Sequence, residues 1–594
     1  MSETKIDKAT RLAVELKDLV SRFGHRSFTA HLCHMGNAHV RQRSGQIKLR
    51  SPVRQLMYLM SLYHATDFKG NEVYTPTSDE HKRIIKLLNE IERGYGYKAS
   101  LADKKNLSVD EFNRVIITNS TFLNYYLNAP LSFFEQDVER IKRTFRHFEP
   151  FIIAETGLEI NDFINFFSLL TNLEIKYVSR YLNHDYNKDP VFESVRRGKD
   201  PNRFSLDQKV HLMDLAENAV YDMAIPLADI YDAMDKEKAK ILLAHFTLFR
   251  SDKSEYLYYT DACEYLRRPI IMMDGDHIVM VYSKQLINAI YEFLFELCSA
   301  ESAPGRKVSE RRDEYLEEKT TEVFGDFFGS DARVYTSYYI NDNEKDILVL
   351  AGKNAFIIEC KANKYRIPFR DPVKAYDRIN DDFKKSIGKG YIQAKEVEDF
   401  FYGDKSFVVK NKNKKVLANI NPEDYENVFT ILVTQERFGQ IQCDLAYLLT
   451  VGDEDNYPWA VAIDDLESFL ITLKRKDNHL GEFNEFLLAR EQLQGRVLCY
   501  DELELCAYFL FDRETFIRNC GRSEMYLSSH DMNLFFDLFY QVGFGFKDEL
   551  NLSDKIKRKH FEAESVIRYH KLKPAERVLE FLSGENGNTM ADIQ

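Results

Sequence analysis

Two carboxylates and a lysine stand at a spacing that can do chemistry. In the segment from Asp346 to Lys361 one acid, Asp346, opens an apolar run. A second acid, Glu359, nears the end of the next run, and Lys361 follows two residues later. Strand side chains alternate between faces, so Glu359 and Lys361 project to one side and Cys360 to the other. The turn Gly352-Lys353-Asn354 between the runs brings Asp346 alongside Glu359. Two carboxylates at one sheet edge suit a hard divalent cation with oxygen ligands, Mg2+ or Mn2+. A lysine beside that ion holds an attacking water or offsets phosphate charge. The chemistry predicted is metal-assisted hydrolysis of a phosphodiester.

The surrounding pattern supplies the elements that would position these groups. Val308 to Phe328 reads as a long amphipathic helix, and Val334 to Ile340, Ile347 to Leu350 and Ala355 to Cys360 as three strands. Val373 to Phe401 reads as mainly helical, and Val428 to Val433 and Trp459 to Ile463 as buried strands. Strands and helices mixed in this order predict an α/β sheet with helices on its faces.

With its acids at strand ends after a long helix, this stretch resembles the active-site core of the PD-(D/E)XK, or restriction-endonuclease-like, nuclease superfamily. The resemblance covers about 160 residues, Lys307 to roughly Leu473. It implies a mixed central sheet, with Asp346 and Glu359 as metal ligands and Lys361 as the partner of water and phosphate. Lys345 stands where the family pattern has proline, and Glu344 looks like the extra acid of members reading Glu-x-Asp. The family's first core helix often supplies another carboxylate. Here the candidates are Glu317 and Glu318, with Glu317 preferred because Leu316, Thr320 and Phe324 would frame it on the buried side. Gln393 resembles a polar residue that many members carry on the following helix.

The resemblance therefore implies a metal-dependent nuclease acting on DNA more readily than RNA, with restriction or anti-phage defence suggested by analogy of fold. The rivals are a repair or processing nuclease with the same site, and a catalytically idle member serving as a binding scaffold.

Substrate binding needs positive charge nearby. From Lys361 to Lys395 ten Lys or Arg residues face four Asp, and Tyr365, Phe369, Tyr376 and Tyr391 are interleaved. Lysine and arginine provide sequence-independent phosphate affinity and aromatics can stack on bases. Lys364, Arg366, Lys384, Lys385 and Lys389 are the candidate contacts. The N-terminal stretch Arg22 to Thr66 holds no acid, which adds Arg41, Arg43, Lys48 and Arg50 as a second candidate set. His31-x-x-His34 around Cys33 reads as structural rather than as a metal site. The run Lys410 to Lys415 reads as an exposed hairpin tip.

Whole-chain properties bound the rest. The 594 residues predict several domains, with 44% hydrophobic residues and ample aromatic core material. A formal charge of −13 excludes a generally basic coat protein, although a local basic channel is compatible with it. The eight cysteines form no Cys-x-x-Cys pair, so a zinc ribbon is not expected. The chain shows no phosphate loop, dinucleotide turn or nucleophile elbow. The start lacks an apolar signal region and no run reaches membrane-span length, so a soluble, cytoplasmic protein is expected, with homo-oligomer or protein contacts through the helical regions.

The predicted organisation is multidomain: a helical N-terminal region at 1–265, then a β-hairpin, helix and linker at 266–304. A nuclease-like α/β domain follows at 305–475, and a helical C-terminal region at 476–594. Within the first, Lys8 to Phe23, Pro52 to Tyr63, His81 to Arg93, Leu158 to Tyr181 and Pro226 to Phe249 are expected helices. Asp274-Gly275 between two apolar runs predicts a tight hairpin.

Overall fold

The computed structural model describes residues 5–40, 49–67, 70–74, 79–95, 107–127, 132–183, 189–200, 203–248, 255–303, 307–453, 455–528, 532 and 535–536. The chain divides into two compact units. The described residues of the first fall within 1–95 and 134–308, and those of the second within 96–133 and 309–546.

The first unit is largely helical, with helices Lys5–Val20, Pro52–His64, Asp79–Glu92 and Ile160–Asn183 close to their expected places. The stripe Phe163, Phe166, Phe167 and Leu170 is fully buried, as its three-and-four spacing requires. The expected helix Pro226 to Phe249 is instead two helices, Leu227–Ala233 and Lys236–Phe246. The break falls at Asp235, whose carboxylate caps the second helix by accepting from the Lys238 N–H at 2.9 Å. The hairpin around Asp274-Gly275 forms, with Ile270–Met272 antiparallel to His277–Met280. It is the centre of a four-stranded sheet completed by Ile225–Pro226 and Thr247–Leu248.

The second unit is mixed helix and sheet. Its elements in chain order are α1 (Val109–Leu127), α2 (Val308–Phe328), β1 (Ala332–Ile340), β2 (Asn343–Ala351), β3 (Asn354–Lys361), α3 (Pro372–Phe383), α4 (Lys389–Phe401), β4 (Phe407–Lys410), β5 (Val416–Ile420), β6 (Asn427–Thr434), β7 (Trp459–Ala462), α5 (Ile463–Leu473), α6 (His479–Glu491), α7 (Glu502–Phe511) and α8 (Arg513–Cys520). A π-helical turn, Lys384–Gly388, joins α3 to α4.

Seven strands form the main sheet, in the order β7-β6-β3-β2-β1-β4-β5, and Val497–Leu498 pairs with Tyr526–Leu527 in a separate two-stranded sheet. Strands β1, β2 and β3 form an antiparallel meander, while β3 pairs parallel with β6 and β6 with β7. Strand β3 therefore sits where the sheet changes from antiparallel to parallel. Its residues Ala355 to Ile358 are fully buried, the continuous apolar run expected of a strand covered on both faces. Helix α4 packs on β3 and β6.

The helices after β7 belong to this same unit. Buried Arg490 of α6 donates to Glu502 Oε1 at 2.7 Å and to Glu502 Oε2 at 3.0 Å, and Trp459 Nε1 donates to the same carboxylate at 2.8 Å. Residues 537–594, the latter part of the expected helical C-terminal region, lie outside the described residues. Among the described residues no helix is long and apolar enough to cross a membrane.

Candidate active site

The site is built on a flaw in the sheet. Gly352, at a positive φ of 57°, turns β2 into β3, and the ladder runs from Ala351–Asn354 to Ile347–Ile358. There it stops. The next rung would pair Asp346 with Glu359, but the two strands part. Strand β3 keeps its other partner, with Glu359 opposite Leu432, Cys360 opposite Val433 and Lys361 opposite Thr434 of β6. On the far side of β2 the β1 ladder skips Ser337, which would face Asp346 and takes a left-handed φ of 42°. Such a conformation costs a residue with a Cβ of order 1–3 kcal/mol and is held only where surroundings impose it. Asp346 thus stands at a gap between two ladders. Its Oδ2 accepts the Cys360 N–H at 2.7 Å, replacing the main-chain acceptor that the parted ladder withholds.

The three charged groups meet in that gap. Lys361 Nζ lies 2.9 Å from Glu359 Oε2, 3.4 Å from Asp346 Oδ2 and 3.0 Å from the Cys360 carbonyl oxygen. Glu359 is fully buried, and its Oε1 has no hydrogen-bond partner among the described residues. The buried Tyr338 hydroxyl is likewise unpartnered. Burial, and then the Asp346 carboxylate, push the Glu359 carboxyl up to about 7. Burial pulls the Lys361 ammonium down, but Asp346 and Glu359 outweigh it and the net shift is upward. The lysine is therefore a fixed cation at neutral pH.

Of the two candidate acids on α2, Glu317 belongs to this group. Burial first, then Asp346, push its carboxyl up to about 7. Leu316, Thr320 and Phe324 frame it as fully buried neighbours on the helix. Glu318 turns elsewhere, with Oε1 3.7 Å from Arg311 Nη1. The Gln393 main-chain oxygen accepts from Lys345 Nζ at 2.8 Å, and its buried side-chain oxygen has no partner. Lys345 is buried against α4 and pairs with Glu396 at 2.7 Å. Glu344 is exposed.

Three contributors escaped the sequence reading. Tyr338 is near enough for Glu359 and Asp346 to raise its phenol further, after burial. Asp313, one helical turn before Glu317, is within electrostatic reach of Lys361. The i,i+4 spacing of the two acids on α2 was the available signal. Gly390, in the first turn of α4, lets that helix lie against Lys361: a Cβ there would stand 3.4 Å from Lys361 Cγ and 3.3 Å from Leu432 Cδ2.

The basic candidates separate. Arg366 pairs with Asp382 at 2.7 Å through Nε and with Asp381 at 2.9 Å, and Lys385 pairs with Asp381 at 2.8 Å. Lys364, Lys384 and Lys389 are exposed. In the first unit Arg50 donates to Glu92 at 3.1 Å and Arg22 pairs with Glu72 at 2.7 Å, so the acid-free stretch meets acids from later in the chain. Arg41, Arg43 and Lys48 lie outside the described residues. Cys33 is buried, and burial pushes its thiol well up, away from a ligating thiolate.

No protein-family model matches the chain. No curated protein and no solved structure matches it either. The chemistry of the site is read from its own residues.

A cation fits those residues in kind. Among the described residues no group of three or more His, Cys, Asp or Glu side chains is arranged to hold a metal ion. The oxygens around the Lys361 ammonium are instead two carboxylates and a carbonyl, a hard donor set already gathered on a positive charge. Magnesium commonly takes one or two carboxylates and completes its shell with water and substrate phosphate. The orphaned Glu359 Oε1 is a further unused acceptor at the same place.

Proposed function

We propose that this chain is a metal-dependent nuclease of the PD-(D/E)XK type, hydrolysing phosphodiester bonds of nucleic acid, with DNA favoured. One observation carries the reading: the Asp346 and Glu359 carboxylates converge on one ammonium in an opened sheet, with a buried Glu359 oxygen left without a partner. Burying Glu359 beside the half-buried Asp346 and leaving one of its oxygens unsatisfied is costly, and such costs are concentrated where charge is to be bound. The helix–three strands–helix–strand order, with a mixed sheet around β3, agrees with this reading.

Asp346 and Glu359 would hold the ion, with the Cys360 carbonyl beside them. A bound Mg2+ or Mn2+ supplies positive charge to polarise a phosphoryl oxygen and to lower the pKa of a water. The Cys360 N–H fixes the Asp346 carboxylate in orientation. Lys361 remains protonated and donates a hydrogen bond to a non-bridging phosphate oxygen, offsetting charge as it builds in the transition state. Glu317, with its carboxyl near neutrality, is placed to take or return a proton at the edge of the same group.

The test is cleavage of supercoiled plasmid, single-stranded DNA and RNA by the purified full chain in Mg2+ or Mn2+, against EDTA. The informative variants are Asp346→Asn, whose Oδ1 can still accept the Cys360 N–H, and Glu359→Gln. Cleavage that needs the metal and disappears in both variants, with circular dichroism unchanged, supports the reading. Metal-independent cleavage, or wild-type rates in either variant, refutes it, and a chain that cuts none of the three substrates is the idle scaffold.

A further inference from the structure

The aromatic residues scattered through the basic run after Lys361 do not share one fate. Tyr365 donates its hydroxyl to the Thr121 carbonyl at 3.0 Å and its N–H to Glu436 Oε2 at 2.9 Å. Tyr391 is buried, and Tyr376 is half-buried with the Arg114 guanidinium 5.0 Å from its ring centre. Phe369 differs: it is 41% exposed, and the Arg378 guanidinium lies 3.2 Å from its ring centre. Ile367 and Val373, two before it and four after it, are also exposed.

This apolar segment is firmly held. Arg366 anchors it to Asp381 and Asp382, Arg378 Nη1 donates to the Ile367 carbonyl at 2.6 Å, and Asp371 caps α3 by accepting from the Lys374 N–H at 2.9 Å. It leaves the sheet where the candidate site lies. The Gln435 N–H reaches the Lys361 carbonyl at 3.3 Å, and Glu436, next along, holds Tyr365. Between 363 and 378 five Lys or Arg residues accompany two Asp, one of them the Asp371 cap. An exposed phenyl ring on an anchored loop, with one guanidinium against it and lysines and arginines along the same segment, matches a polyanion that carries aromatic faces.

We propose that segment 363–373 is a stacking platform for an unpaired base of the nucleic-acid strand entering the Asp346–Glu359 site. This rests on the nuclease reading of that site and adds its substrate class: single-stranded or locally unpaired nucleic acid. In an intact duplex the base faces are covered by their neighbours, so the platform discriminates by base accessibility rather than by sequence. The chemistry is shared by DNA and RNA.

The test is fluorescence anisotropy with the full chain in EDTA, so that binding is read without cleavage. The probes are one mixed sequence as single-stranded DNA, single-stranded RNA and duplex DNA. Phe369→Ala should weaken binding of one or both single strands by about tenfold or more, the scale of a lost base stack, and change duplex binding less than twofold. Phe369→Trp should keep the affinity, and its emission should be quenched by the single strand. Trp459 is the only native tryptophan and is buried, out of reach of the strand, so its emission forms a constant background. The platform is overturned if Phe369→Ala leaves single-strand binding unchanged, if duplex binding falls as much, or if the wild type binds no nucleic acid. It is also overturned if light scattering shows that Phe369→Ala dissociates a wild-type oligomer, which would make the loop a contact between copies. If single strands bind as described while no substrate is cut in Mg2+, the stacking platform stands and the nuclease reading, with the strand's path into the Asp346–Glu359 site, falls.

Discussion

Gly390→Ala should separate stability from activity. Gly390 lies within the continuous helical stretch from α3 to α4, where alanine is worth roughly 0.5–1 kcal/mol over glycine. The added Cβ would meet Leu432 Cδ2 at 3.3 Å and Lys361 Cγ at 3.4 Å, so one neighbour must give way by a few tenths of an ångström. The tighter contact is with Leu432, fully buried inside β6, so α4 is pushed off the sheet by a few tenths of an ångström and the Lys361 stem it lies against shifts with it. An ångström of misplacement costs about 10²-fold in rate, so a shift of a third to half that size predicts a turnover loss of roughly five- to tenfold. Folding stability should stay within about 1 kcal/mol of wild type, since helix propensity and the tight contact act in opposite directions. Gly388→Ala is the control: it brings the same backbone gain, and its Cβ meets only the Phe383 carbonyl oxygen at 3.7 Å. The assay pairs thermal melts with initial cleavage rates at saturating metal and substrate. Equal turnover in the two variants would refute the argument that α4 holds Lys361 in place.

Lys361→Met should lower turnover by about 10²-fold, the scale of one positioned electrostatic group, while calorimetry still detects Mg2+; unchanged turnover removes the lysine from the chemistry. In EDTA, Glu359 makes stability depend on pH. Its folded value of about 7 lies above the ordinary 4.5, so its contribution is complete below about 4.5 and is lost as pH rises through about 7. Stability in urea titrations should therefore fall between about pH 4.5 and 8, and Glu359→Gln should lessen that fall, with Glu317 titrating in the same window. Arg490→Met strands the buried Glu502 carboxylate and should cost about 3–5 kcal/mol in chemical denaturation, with the added Glu502→Leu recovering much of it. Neutralising Lys384 and Lys389 together should lower the log–log salt slope for duplex DNA by about two units, whereas Lys385, already paired with Asp381, should contribute less.

The residues of the site were legible because they sit on one hairpin. Period-two alternation placed Glu359 and Lys361 together, and the Gly352 turn brought Asp346 back to them. Glu317 was legible through its buried neighbours on α2. The parting of β2 from β3 was only half marked: the apolar runs end at Ile347 and Ile358, but nothing local shows that the ladder ends with them. Lys345 reads as a surface lysine until α4 supplies Glu396 across the chain. The basic run after Lys361 counted Arg366 and Lys385 as available charge, yet the helical fold of α3 brings Asp381 and Asp382 onto them. Helix α1 joins the second unit from more than two hundred residues upstream of its first strand, a pairing that only long-range packing creates.

The hairpin that carries the site is closed at Gly352 and open at Asp346, and this asymmetry governs which length changes the chain can absorb. Residues added at the closed end lie beyond the Ala351–Asn354 rung and leave every lower rung in register. A single residue added within either strand slides Asp346 away from Glu359 and turns the apolar faces over. Only paired insertions, two on each strand, restore both the facing of the acids and the burial of the runs. Descendants of this chain are therefore free to vary the tip of the hairpin, while the stretches between tip and site can lengthen or shorten only in matched steps.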